Sequence, residues 1–252
     1  MPEPADHTAI LLAAGQGSRI REHTEEPKIL LPLGGRTLLA RHLDAFITIG
    51  LCRVVLVVGY QQAAIRTEIE RLAPSMDITW VDNPDYATKG NTHSLLLGLR
   101  AAFGAVAILD ADLVYTPPIL ERCLNSPVPD SILVGPGSLD DIESTKAIVD
   151  ANNCVRKTVD KRDLTEDELR QHRFAGEAIG VLKFSSPTRD TLLAATETFL
   201  TDPAHLTLNW EHLLNTFLPC HDIACHFETS EDWIEIDTTE DFQVAQAKFP
   251  AT

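Results

Sequence analysis

The residues of this chain that can do chemistry fall in four short segments. In the first, Ala13-Ala14-Gly15-Gln16-Gly17-Ser18-Arg19, two glycines precede a cation directly after an apolar run. Glycines let a backbone approach a phosphate closely and present its N–H groups, and Arg19 can neutralise charge on the same group. Position 20 is Ile where a dinucleotide fingerprint has its third glycine, and no GK[ST] follows, so the pair by itself also fits an ordinary strand-to-helix turn. In the second segment, Glu26-Pro27-Lys28-Ile29, the fixed φ of Pro27 gives Lys28 a stiffened backbone ahead of a short apolar strand. In the third, Asp110-Ala111-Asp112 closes a strand with both carboxylates on one face, at the edge where open α/β sheets bind ligands. Two hard oxygen ligands beside a phosphate loop suit Mg²⁺, although one of them can instead cap the following loop. In the fourth, Trp233-Ile234-Glu235-Ile236-Asp237 alternates, with Ile234 and Ile236 on the core face and Asp237 aimed at the same edge or capping a helix that starts near Thr239.

Positioning these segments requires alternating strands and helices. Apolar runs predict strands over 8–13, 53–58, 78–81 and 105–109, and helical periodicity predicts helices over 37–49, 62–72 and 94–103. Repeated βα units imply a parallel sheet covered by helices on both faces. The second half is less regular, with strands expected near 131–135, 145–149, 154–159, 178–184, 221–227 and 233–236, and helices near 117–126, 187–200, 207–216 and 239–248. No Pro/Gly/Ser-rich linker divides the chain, so one α/β domain over 1–252 is expected, with a first half over 1–115 and a second over 116–252.

Composition narrows the partners. The 252 residues are 44% hydrophobic and 23% charged, enough for a full core, and a net charge of −16 repels nucleic acid and anionic membranes over most of the surface. That charge is uneven: residues 1–44 carry −1 and the other 208 carry −15. No apolar run approaches the roughly 18 residues of a membrane span and the N-terminus is acidic, so a cytoplasmic protein is expected. Five scattered cysteines read as free thiols. Cys220, His221, Cys225 and His226 are zinc-type donors, but a strand there splits them between two faces.

LLAAGQGSR, then Thr24, then EPKILLPLGGRTLLARHLDAF resembles the signature of nucleotidyltransferases that activate sugar phosphates and small phosphorylated alcohols. The resemblance implies a Rossmann-like, GT-A-like α/β fold with a mixed, mostly parallel sheet, a nucleotide-binding first half and an acceptor-binding second half. It implies that Leu12, Ala13, Ala14, Gly15, Gln16, Gly17 and Ser18 wrap the triphosphate and base, that Arg19 and Lys28 clamp phosphates, and that Gly35 to Arg41 starts the supporting helix. WIEIDTTEDF is similar to the family's C-terminal segment, which makes Asp237 the second Mg²⁺ ligand opposite Asp112, with Asp110 bordering the nucleotide and the roles of Asp110 and Glu235 toward the metal left open. Asn91 and Ser94 lie by resemblance beside the base, or cap their own helix, and NxxSL resembles the cytidylyltransferase branch acting on phosphocholine and phosphonates. Lys161 and Glu177 match the acceptor half.

These resemblances lead to an expected Mg²⁺-dependent transfer of CMP from CTP to a small phosphonate or phosphorylated alcohol, in a protein that can form a homodimer. The head group stays open: Trp210, Glu211 and Trp233 suit a quaternary ammonium, and Arg156, Lys157, Arg162 and Arg173 suit a carboxylated or hydroxylated phosphonate. A sugar-1-phosphate transferase using UTP, dTTP or GTP is the alternative within the same chemistry. A catalytically silent nucleotide sensor is the alternative of another class.

Overall fold

The computed structural model describes residues 4–20 and 25–251, with the backbone alone at Ser18; Thr24 of the motif lies outside them. In chain order the elements are β1 (His7–Ala13), β2 (Pro32–Leu33), β3 (Arg36–Thr37), α1 (Leu38–Thr48), β4 (Arg53–Val58), α2 (Gln62–Leu72), β5 (Asp77–Asp82), α3 (Asn91–Ala101), β6 (Ala105–Asp110), β7 (Leu113–Tyr115) and α4 (Pro117–Asn125). There follow β8 (Ser131–Gly135), β9 (Lys146–Val149), β10 (Val155–Val159), α5 (Glu166–Gln171), β11 (Arg173–Phe184), α6 (Ser186–Phe199), α7 (Trp210–Phe217), β12 (Ala224–Phe227), β13 (Trp233–Glu235) and α8 (Thr239–Lys248). Strands β5, β4, β1 and β6 run parallel, and β11 then joins β6 antiparallel and carries the second half of the chain on the same sheet. The seven residues of β1 are all buried, as a parallel strand covered on both faces must be.

The sheet separates two apolar layers. Ala9, Leu11 and Ala13 pack with α1, α2, α4 and α8, whereas Ile10 and Leu12 pack with α3, α6 and α7. The chain leaves β1 for β4 and β5 on one side and returns to β6 on the other, so the switch in strand order lies between β1 and β6. Open α/β sheets bind ligands at the carboxyl ends of the strands flanking such a switch, and there the glycine loop and Asp110-Ala111-Asp112 emerge.

Several expected elements differ. Lys28–Leu30 is a 3-10 turn rather than the start of an apolar strand, closed by Leu30 N–H donating to Pro27 O and Leu31 N–H to Lys28 O. Short apolar runs do not separate helix from strand by pattern alone. Helix α1 starts at Leu38 rather than near Gly35, because Gly34 and Gly35 hold φ of +60° and +79°, outside the helical region, and Thr37 supplies the cap through Ala40 N–H. The strand expected from 221 begins at Ala224, with Cys220 ending a 3-10 turn and the His221 ring stacked on Phe217 at 3.8 Å.

Candidate active site

Backbone pairing assembles the site from opposite ends of the chain. Strand β13 pairs antiparallel with β7, setting Glu235 beside Leu113, and Ile236 N–H donates to Asp112 O at 3.1 Å. Asp112 and Asp237 are thereby brought together across 125 positions. Between them stands Lys28, whose Nζ donates to Asp112 Oδ2 at 2.8 Å and to Asp237 Oδ1 at 2.9 Å. Asp237 Oδ2 also meets Arg19 Nη2 at 2.8 Å and Lys161 Nζ at 3.4 Å. Capping does not occupy Asp237, because Thr238 caps α8 in a reciprocal box with Asp241.

Burial works to lower the Lys28 pKa, but the charges and hydrogen bonds of Asp112 and Asp237 outweigh it and hold the ammonium above the ordinary lysine range. For Asp237, burial acts to raise the pKa and Lys28, Arg19 and Lys161 pull it below the usual aspartate value. Lys28 and Asp237 are therefore both charged at neutral pH.

The cleft beside this array has a cavity volume of about 150 Å³ and is lined by Leu12, Ala13, Ala14, Gly15, Gly17, Pro27, Lys28, Ile29, Asn91, Ser94, Asp110, Ala111 and Asp112. A Cβ on Gly15 would meet nothing within 4 Å, so its backbone is open to an approaching group. Gly17 instead has φ of +58° and lies against the Lys28 side chain, where an added Cβ would stand 3.3 Å from the Lys28 Cβ. Of the expected loop residues, Gln16 is not among those lining the cleft.

Helix α3 starts at Asn91, three residues earlier than its periodicity suggests, and its cap is Gly90 with no side-chain bond. Asn91 Oδ1 accepts from Trp210 N–H at 2.8 Å, so it caps α7 and ties the two helices together. Ser94 Oγ accepts from Asn83 Nδ2 at 2.9 Å. Asn83, 2% exposed, also accepts from Asp85 N–H and pairs with His93, which makes it the support of this wall. The sequence signal for it was Asn-Pro directly after a strand. A second support is His42, packed inside the core, whose Nε2 lies 3.3 Å from Ala111 O and whose Nδ1 lies 3.2 Å from Tyr115 Oη. It fixes the turn between the two aspartates, and burial pushes its pKa down to about 4.

Asp110 and Asp112 do not share a strand face, because β6 ends at Asp110 and Asp112 stands in the following turn. Asp110 faces the other apolar layer and accepts from Trp210 Nε1 at 3.4 Å. Around it gather Glu235, whose field and that of Asp110 meet above Gly180, and Glu211 at the start of α7. Burial first, then the neighbouring carboxylates, raises the pKa of Asp110 and of Glu235. Burial likewise raises Glu177 and Glu211, each to about 7. Glu177, on β11, lies outside the lining of the cleft.

The cations expected to hold an acidic head group are already engaged. Arg156 bonds Asp150 and Asp222, Lys157 and Arg162 bond Glu168, and Arg173 bonds Asn153. The spacing in VRKTVDKR marks Arg156, Lys157 and Arg162 as basic without showing the carboxylates of Asp150, Asp222 and Glu168 that pair with them.

Asp112 and Asp237 suit a hard divalent cation. They already converge on one cationic atom, and Asp112 Oδ1 is buried without a hydrogen-bond partner. Among the described residues no three His, Cys, Asp or Glu side chains form a metal cage. Two carboxylates completed by substrate oxygens is the donor set typical of Mg²⁺ rather than of a closed structural metal.

Residues 9–137 match the MobA-like NTP transferase domain. The CMP-5'-(3-aminopropyl)phosphonate synthase of Streptomyces rubellomurinus is 33% identical over 162 residues, 64% of this chain and 26% of that protein. The bifunctional IPC transferase and DIPP synthase of Aquifex aeolicus is 22% identical over 241 residues, 95% of this chain and 51% of that protein. The chain thus spans about a quarter to a half of the length of these curated relatives. The inositol-1-phosphate CTP transferase from T. maritima superposes with a TM-score of 0.75 at 21% identity, covering 98% of both chains. The CTP:phosphocholine cytidylyltransferase from Streptococcus pneumoniae does so with a TM-score of 0.76 at 18% identity, covering 96% of this chain and 98% of that one. At such identities these two likenesses are likenesses of fold. The domain match takes in 129 of the 252 residues and includes the glycine loop, Lys28 and both aspartates of the β6 edge, and on that match the chain belongs to the MobA-like NTP transferase domain family.

Proposed function

We propose that this chain is a cytidylyltransferase that moves CMP from CTP to a small phosphonate or phosphate monoester bearing a positive charge, with release of pyrophosphate. The observation that carries the reading is the convergence of Lys28 with Asp112 and Asp237 at the lip of a glycine-lined cleft on the sheet's switch point. A phosphonate or phosphate oxygen of the acceptor attacks the α-phosphorus of CTP in line, the new P–O bond forms, and the bond to the bridging oxygen breaks with its electron pair leaving on pyrophosphate. A phosphate's second pKa is near 6, so the attacking oxygen is already largely anionic at neutral pH and needs no general base.

The chain's own part is then positioning and charge neutralisation. Arg19 and Lys28 hold the phosphates of the nucleotide, Asn91 and Ser94 border the base, and Lys161 orients the acceptor's anionic group. Asp112 and Asp237 hold Mg²⁺, which when bound supplies neutralisation of phosphate charge as a Lewis acid.

Support for a cationic acceptor comes from the charges deeper in the site. Asp110, Glu211 and Glu235 crowd one region of the site, Glu177 lies next to it, and Arg156, Lys157, Arg162 and Arg173 are bound elsewhere. An ammonium relieves such crowding, and a neutral sugar does not. Trp210 stands beside Asp110, and Trp233 lies against Gly135. The use of CTP draws on the printed names of the phosphonate synthase and the two CTP enzymes.

The test is pyrophosphate release across four nucleoside triphosphates, each paired with an aminoalkylphosphonate, phosphocholine and glucose 1-phosphate. CTP with a cationic acceptor is expected to lead. A preference for glucose 1-phosphate with UTP or dTTP would replace the reading with sugar activation, and no release with any pair would leave a nucleotide sensor.

A further inference from the structure

Three cations from three separate segments end on one carboxylate. Arg19 comes from the turn after β1, Lys28 from the 3-10 turn after Pro27, and Lys161 from the loop after β10, where it holds φ of +48°. Their nitrogens lie 2.8, 2.9 and 3.4 Å from the two oxygens of Asp237. Among the described residues Asp112, by contrast, pairs with Lys28 alone. Resting on the function proposed above, these are also the three side chains that must reach phosphate groups, and Asp237 is one of the two carboxylates suited to the divalent ion. A carboxylate whose oxygens already face three cations presents a divalent ion with occupied ligands, and the same cations reach the substrates' phosphate groups with part of their charge already neutralised.

We infer that Asp237 has a second role as a positioning residue: it gathers Arg19, Lys28 and Lys161 while no nucleotide is bound, and when a divalent ion takes their place it yields Arg19 and Lys28 to the triphosphate and Lys161 to the acceptor's anionic group. The exchange makes metal and triphosphate each favour the other beyond their own attraction, because either one alone must break pairs that the other would relieve. It also tells metal-bound nucleotide from free triphosphate, free pyrophosphate or inorganic phosphate, which bring no ion to Asp237. Asp112 cannot do the same, since it releases one cation and not three.

Calorimetric titration with CTP in EDTA separates this role from simple metal ligation. Asp237→Asn is expected to tighten metal-free CTP binding by about tenfold or more, within the 5–150-fold span usual for coupling between sites. Asp112→Asn, which removes the same charge from the same neighbourhood, is expected to change it by no more than about threefold if the gain comes from freed cations rather than from lost repulsion. A second measurement, Mn²⁺ binding to the nucleotide-free protein by electron paramagnetic resonance, does not depend on the folding of the aspartate variants. There Lys28→Met is expected to bind Mn²⁺ at least about tenfold more tightly than the unaltered protein. Equal behaviour of the two aspartate variants, or an unchanged Mn²⁺ affinity in Lys28→Met, overturns the exchange. If the unaltered protein binds CTP with Mg²⁺ while either of these holds, only the exchange falls; if it binds no nucleotide with Mg²⁺ present, the proposed function falls and the exchange with it.

Discussion

Replacing Lys28 by alanine separates a charge that acts on phosphate from one that merely holds the fold. The lysine side chain is 13% exposed and makes two short ion pairs, to Asp112 and Asp237. Loss of one well-placed donor to developing transition-state charge costs about 2.7–4 kcal/mol. At 1.36 kcal/mol per decade this is about a hundredfold to a thousandfold in turnover. The folding cost is smaller. Breaking a fully buried pair costs about 3–5 kcal/mol, but Asp112 and Asp237 are 26% and 23% exposed and Asp237 keeps Arg19 and Lys161, so about 1–2 kcal/mol is expected. For a domain of this size that is a Tm lower by about 2–8 °C. The assay is initial pyrophosphate release under saturating substrates, run beside thermal unfolding of the same preparation. Turnover within about tenfold of the unaltered protein would refute the role given to Lys28. A collapse of Tm well beyond the expected fall would show instead that the lysine's contribution is to folding.

Three further outcomes follow from particular contacts. Gly180→Ala is expected to lower Tm by about 2–8 °C, because φ of +62° costs a side chain about 1–2 kcal/mol and the new Cβ would press on Asp110 and Glu235; an unchanged Tm refutes it. Glu211 has its folded pKa raised from 4.5 to about 7 by burial, with Asp160 and Asp112 adding and Lys161 opposing, so folding favours its protonated form and the associated stability is lost as pH rises from about 4.5 towards 7. Glu211→Gln should therefore flatten the decline of Tm between pH 5 and pH 7.5, leaving the part due to Glu177, which shifts the same way; identical Tm profiles would refute it. Arg162→Ala should leave turnover and acceptor KM within about twofold of the unaltered protein, since its guanidinium is bound to Glu168, and a large rise in acceptor KM would restore it to the pocket.

The legibility of the chain follows the range of the forces involved. Strands 53–58 and 131–135 and helices 62–72 and 239–248 could be read to the residue, because local periodicity and flanking turn residues define them. Strand β7 could not. Its three residues form a strand only because β13, more than a hundred positions away, pairs with them. The same distance hid why Asp112 and Asp237 meet. Asn91 illustrates the point in one side chain: its type suggested a cap for its own helix, and its oxygen caps a different one. Local sequence carries capping chemistry but not the identity of the helix that receives it.

The charge of the chain shows a further limit of counting. The net −16 drew attention to the scarcity of cations outside residues 1–44, and several basic side chains of the second half were expected to serve the acceptor. In the fold those cations pair with their own neighbours, Arg156 with Asp150 and Lys157 with Glu168, while Asp110, Glu211 and Glu235 turn inward, where burial raises their pKa. Acids on the surface keep water as their partner; acids turned inward need a positive charge or a proton. The acidic surplus is thus divided. One part pairs on the outside, and Asp112 and Asp237 anchor the cations that the triphosphate would claim. On the proposed function the buried remainder is what favours a positively charged acceptor, a preference the residue totals cannot express because it arises from where the carboxylates are buried.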